Sequence, residues 1–106
     1  MASEFVALWS FEVREESRAE FLSTYGSGGD WERLFRRGIG YVGSELWEDL
    51  DHPGRFLTVD RWESLEAYRE FLARFAAEYD EIDRRGEAWT VREDALGRFH
   101  PLGEKT

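Results

Sequence analysis

The sequence predicts an α+β domain with helices on one face of a four-stranded antiparallel sheet. Three observations lead there. Segments of strand and helix periodicity alternate in the order strand, helix, strand, strand, helix, strand. The first segment, Phe5 to Val13, is apolar on both parities, as a central strand must be. The turn signal His52-Pro53-Gly54-Arg55 ties the second and third strands into a hairpin.

Each element has its own signature. In the first strand Phe5, Ala7, Trp9, Phe11 and Val13 share one parity, and Val6 and Leu8 the other. Ser17 with Glu20 three residues on forms a capping-box pattern, and Phe21, Leu22 and Tyr25 make a short buried stripe. The run Gly26-Ser27-Gly28-Gly29 interrupts it. Asp30 is placed to cap a second helical piece carrying Trp31, Leu34 and Phe35, with Gly38 as its stop, so residues 17–37 read as one broken helical layer. Tyr41 to Leu50 reads as an edge strand because Glu45, Glu48 and Asp49 sit in it. Proline and glycine at the second and third turn positions suit type II, and Phe56 to Trp62 returns.

Ser64 is the expected cap of one long helix. Its stripe is Leu65, Tyr68, Phe71, Leu72, Phe75, Ala76, Tyr79 and Ile82, and Gly86 is the expected terminator. A last strand from Trp89 to Phe99 contains Gly97, a candidate bulge. Right-handed crossovers then put the first and third strands in the middle, the ferredoxin-like βαββαβ order. The expectation is one domain over residues 1–106, with a core from about 4 to 99 and a flexible tail at 100–106. One layer of helices covers only one parity of the first strand. The other parity calls for a partner, and a homodimer closing the open sheet face is expected.

Composition narrows the function. A net charge of −9 and acids interleaved with the arginines leave no basic stripe for nucleic acid or an anionic membrane. There is no cysteine, and neither asparagine nor glutamine occurs, so thiolate and amide side chains play no part. His52 in a turn and His100 near the end share no ligand spacing, which predicts no metal site. No glycine-rich phosphate loop follows a strand, and no cofactor is expected. Residues 1–11 lack a basic segment ahead of an apolar run, so neither a signal peptide nor a membrane span is expected, and the default location is the cytoplasm. Five Trp, four Tyr and eight Phe are many for a chain of this size; they suit either the core alone or, in part, an apolar small-molecule pocket.

The stretch Phe56-Leu57-Thr58-Val59-Asp60-Arg61-Trp62-Glu63-Ser64, followed by Tyr68 and Phe71, resembles the antibiotic biosynthesis monooxygenase-like family of dimeric α/β-barrel proteins. Gly40-Tyr41-Val42-Gly43-Ser44-Glu45-Leu46 is similar to that family's second strand. The similarity spans about residues 4 to 99. The resemblance implies a pocket bordered by Trp62 and lined by Tyr68, and oxygenation without metal or flavin. Family oxygenases of polyketides carry an asparagine where Thr58 stands here. Haem-degrading members need a histidine where Leu72 stands, which argues against that chemistry.

Candidate catalytic residues are therefore Trp62, Tyr68 and Asp60, with Thr58, Trp9 and Phe75 as candidate substrate contacts. Asp60 shares a parity with Thr58 and Trp62. Facing the helices, it would be desolvated and fit for general-base work. The plainer alternative, preferred on sequence grounds, is an ion pair with an arginine or a solvated strand end. Trp62, Tyr68 and Trp9 have core packing as their alternative role. Two functions remain open: a cofactor-independent monooxygenase acting on a small aromatic, quinol-like substrate, or a non-catalytic dimeric module that binds a small hydrophobic molecule or supports another protein.

Overall fold

The computed structural model describes residues 4–102. The strands are β1 (Phe5–Val13), β2 (Tyr41–Glu48), β3 (Arg55–Trp62) and β4 (Thr90–Phe99). The helices are α1 (Arg18–Tyr25), α2 (Asp30–Phe35), α3 (Leu65–Arg74) and α4 (Ala76–Glu87), with a 3-10 turn at Glu15–Ser17. The sheet order is β2-β3-β1-β4, every neighbouring pair antiparallel, so the first and third strands are central as expected. This is the ferredoxin-like α+β fold.

Register fixes the two faces. Cross-strand partners share a face, so Phe5/Trp62, Ala7/Asp60, Trp9/Thr58 and Phe11/Phe56 all point toward the helices. Val6, Leu8, Leu57 and Val59 point the other way, alongside Trp47 and Phe99. Trp47 and Phe99 are 57% and 50% exposed on that uncovered side.

Beneath the helices the core is largely aromatic. Trp62, Phe21 and Phe71 are the large side chains with almost no exposed surface. Full burial of an apolar side chain of this size contributes roughly 1.5–3 kcal/mol. Trp62 meets Phe35, Tyr41, Tyr68 and Phe71 with ring centroids 5.0–5.9 Å apart. A second cluster, Phe11, Phe21 and Phe56, sits under α1.

Local expectations met mixed outcomes. The hairpin turn forms with Arg55 N–H donating to the His52 carbonyl at 3.0 Å and Gly54 at φ +94°, the left-handed conformation type II requires. Ser64 caps α3 by accepting from Ala67 N–H at 3.1 Å. Gly97, at φ +135°, lies where the β1–β4 register shifts, as a bulge. Ser17, however, precedes α1 without a side-chain cap, because the 3-10 turn leads directly into the helix. Asp30 is the first residue of α2 rather than its cap, and its carboxylate bonds Arg33 and Arg85 instead. The long helix is two: Phe75 leaves helical geometry at φ −114°, ψ 30°, with its ring between Arg37 and Arg74. Of the expected tail, 103–106 lies outside the described residues, and His100 is exposed.

Gly86 does not terminate its helix; it is buried in the last turn of α4, where a Cβ would collide with the Tyr25 hydroxyl. Gly86→Ala therefore sets a helix-propensity gain of about 1 kcal/mol against overpacking of about 1–3 kcal/mol. A net loss on the order of 1 kcal/mol is expected in urea unfolding.

Candidate functional site

A cavity of about 320 Å³ lies between sheet and helices. Its floor is Trp9 and Phe11 of β1, Thr58 and Asp60 of β3, Ser44 and Leu46 of β2 and Glu93 of β4. Its roof is Tyr25, Trp31 and Phe35 with Tyr79 and Asp83 of α4, and Gly26 and Ser27 of the glycine-rich loop border it. Trp31 stacks near Phe35 and meets Tyr79 edge-on at 4.8 Å, which makes much of the roof aromatic. Volume and lining are those of a small-molecule site.

Asp60 is the chemically distinctive group. It faces the helices because it pairs with Ala7 across β1–β3, and no basic side chain lies within ion-pair distance of it among the described residues. Its Oδ1 accepts from Ser44 Oγ at 2.7 Å, and Ser44 Oγ accepts from Tyr41 Oη at 2.7 Å. The register shift between Tyr41 and Gly43 brings Tyr41 and Ser44, three apart in sequence, onto one face. Burial pushes the Asp60 carboxyl up to about 6, and the Ser44 hydrogen bond opposes that only in part. Tyr41 is raised by its own burial and by the Asp60 charge. The result is a carboxylate poised near neutrality at the inner end of a hydroxyl chain.

Other groups titrate abnormally in the same cavity. Burial pushes the Tyr25 hydroxyl up to about 12 and raises Tyr79 further. The Trp31 indole N–H is buried without a hydrogen-bond partner, though it lies close enough to Tyr25 to favour the phenolate slightly. Asp83 is raised by burial and by Glu87 and Asp80; Glu93 by burial and by Asp83 and Glu87.

The structure brings Trp9, Thr58 and Asp60 together on the cavity floor. It places Trp62, Tyr68 and Phe75 elsewhere. Trp62 is sealed in the aromatic core with its Nε1 unpartnered, Tyr68 packs edge-on against Phe5 and Trp62, and Phe75 lies against Phe71. Neither Trp62 nor Tyr68 lines this cavity; Trp62 is enclosed by rings, and Tyr68 is partly buried against them. Sequence reasoning missed Ser44, Tyr41, Asp83 and Glu93. Asp83 carried a signal, since it falls four residues after Tyr79 on the buried stripe. Among the described residues no group of three or more His, Cys, Asp or Glu is arranged to hold a metal ion. No helix among them is long and apolar enough to cross a membrane.

The model of the antibiotic biosynthesis monooxygenase family matches residues 5–80. Solved structures share the fold at low identity. A mutant of SnoaB, a cofactor-independent oxygenase from Streptomyces nogalater, is 20% identical with a TM-score of 0.70, over 99% of this chain and 97% of that one. A putative antibiotic biosynthesis monooxygenase from Nitrosomonas europaea is 12% identical with a TM-score of 0.76, over 100% and 97%. Rv0793 from Mycobacterium tuberculosis is 19% identical with a TM-score of 0.74, over 98% and 100%. A search of curated proteins finds no match. With a match over most of its length, from the first strand into the second helix of the bent pair, the chain belongs to the antibiotic biosynthesis monooxygenase family.

Proposed function

We propose that this protein is a cofactor-independent oxygenase of small, electron-rich aromatic substrates of the quinol type, with Asp60 as its general base. The observation that carries this reading is a cavity-facing carboxylate raised to about 6 with no cationic partner among the described residues. Such a group is largely ionised at neutral pH yet basic enough to take a phenolic proton in the transition state. The resulting anion, stacked against Trp9 and contacted by Thr58, is the electron donor to dioxygen. Addition of oxygen to a ring carbon gives a hydroperoxide, and loss of water leaves a new carbonyl. One oxygen atom enters the product, the other leaves as water, and the substrate supplies all four electrons. Ser44, which donates to Asp60 and accepts from Tyr41, holds the carboxylate in place. The relationship to SnoaB, described as a cofactor-independent oxygenase, supports the reaction class.

Oxygen uptake with a panel of hydroquinones tests the reading. Turnover above buffer is expected, with kcat/KM rising about tenfold per pH unit below about 6 and flat above it. Buffer-level uptake across the whole panel would remove the oxygenase assignment.

The working form proposed is a homodimer that closes the open sheet face. Val6, Leu8 and Leu57 are only partly buried there, and Trp47 and Phe99 stand exposed beside them. A contiguous apolar patch of this kind is uncommon on a monomer. Sedimentation at micromolar concentration is expected to give twice the chain mass, and Trp47→Glu with Phe99→Glu to give the single mass.

A further inference from the structure

Five acidic side chains line the cavity, and two have arginine partners: Glu32 with Arg36 at 3.5 Å and Glu45 with Arg61 at 3.3 Å. Asp60, Asp83 and Glu93 have no basic partner within ion-pair distance among the described residues. Among the described residues no Lys, Arg or His side chain lines the cavity. Arg85, whose charge reaches the Tyr25 hydroxyl, is held by Asp30 at 2.8 Å.

The three unpaired acids form two poles. Asp60 stands opposite Ala7 on β1, and Glu93 stands opposite Phe11 on the other side of the same strand. Four residues along a strand is about 13 Å, and two strand spacings is about 10 Å. The proposed base therefore lies at one end of the cavity, and Asp83 with Glu93 near the other. Only the first pole has a role in the chemistry above. At the second, burial and mutual repulsion disfavour both anions, a cost that a bound cation would relieve. Tyr25, Trp31 and Tyr79 supply aromatic surface to the same cavity. Carboxylates beside electron-rich rings are the chemistry that holds an organic ammonium.

We propose that the ligand is an electron-rich phenol or quinol bearing a protonated amine, its hydroxyl at Asp60 and its ammonium between Asp83 and Glu93 among the rings of Tyr25, Trp31 and Tyr79. This rests on the cavity being the substrate site proposed above. The fixed ammonium also offsets the negative charge that develops when Asp60 takes the phenolic proton, so recognition and proton removal assist each other. An anionic ligand meets three unpaired acids and, among the described residues, no basic side chain, and is excluded.

Isothermal titration calorimetry with three probes of one shape tests the charge assignment: tyramine, its alcohol analogue tyrosol, and the analogue ending in a carboxylate. Tyramine is expected to bind about tenfold or more tightly than tyrosol, and the carboxylate most weakly. Asp83→Asn with Glu93→Gln keeps shape and removes charge; the tyramine advantage should fall to about twofold or less. Each single variant should lose part of it, which keeps the test usable if the double variant does not fold. Equal affinity for tyrosol or the carboxylate, no binding of any probe, or an advantage that survives both substitutions would overturn the assignment. Uptake of oxygen with neutral hydroquinones is a separate readout. If it persists without an ammonium preference, only the ligand class falls; if the preference holds without uptake, only the oxygenase reading falls.

Discussion

Asp60→Asn is expected to lower oxygenase turnover by about 10²–10⁴-fold and, at the same time, to make the protein more stable at neutral pH. The two effects share a cause. The Asp60 carboxyl titrates at about 6 in the fold and near 3.8 in an unfolded chain. Between those values the native state keeps a proton that the unfolded state has lost. Stability contributed by this group is therefore present at low pH and falls as pH rises from about 4 to about 6. A shift of about two units corresponds to about 3 kcal/mol at most. Asparagine removes the titration but brings an amide N–H₂ that needs an acceptor, so a gain of about 1–2 kcal/mol is the expected net. Urea unfolding at neutral and mildly acidic pH, beside oxygen-electrode assays, reads both. Loss of activity without the stability gain would mean that Asp60 is better solvated than its position beneath the helices implies.

Trp62→Ala is expected to cost about 3–5 kcal/mol, against a total of about 5–15 kcal/mol for a domain of this kind. Trp62 has essentially no exposed surface, and four aromatic rings close around it. The adjacent Gly38 sits close enough that a Cβ there would press on both Trp62 and Phe71, so the pocket holding the indole has little slack. Trp62→Phe is the sharper experiment. The indole Nε1 has no partner to lose, and the cost should be only about 1–2 kcal/mol. Oxygen uptake by Trp62→Phe should stay near wild type, because the side chain does not reach the cavity. A large fall in turnover with unchanged stability would return Trp62 to the substrate.

The fold was legible because each of its signals is local or strictly periodic. A strand apolar on both parities can only be central, and β1 is. A Pro-Gly pair with a hairpin on either side leaves one turn geometry, and His52–Arg55 adopts it. The errors arose where one residue type has competing partners. Asp30 was free to cap or to bind arginine, and Arg33 and Arg85, the latter 55 residues away, decided it. Gly86 marks a close approach to Tyr25, a contact between distant segments that composition cannot reveal. The site was half legible for the same reason. Parity placed Asp60, Thr58 and Trp62 on one face, but the choice of face depends on where the helices land, and Trp9 joins them only through the pairing of β1 with β3. Ser44 and Tyr41 join Asp60 only through an irregularity in the edge strand, which leaves no periodic trace. For Trp62 the sequence leaves core packing and pocket wall both open, and its four ring neighbours are the packing partners the fold supplies.

Both outer strands of the sheet carry breaks in their pairing. On β2 the interruption falls between Tyr41 and Gly43; on β4 it falls opposite Leu8 and Trp9 and again opposite Glu12 and Val13. An unbroken border of free amide and carbonyl groups is a template on which further chains can stack into fibrils. Kinks in both borders spoil that template. In the homodimer proposed above, association through the sheet face would then be closed and finite rather than open-ended.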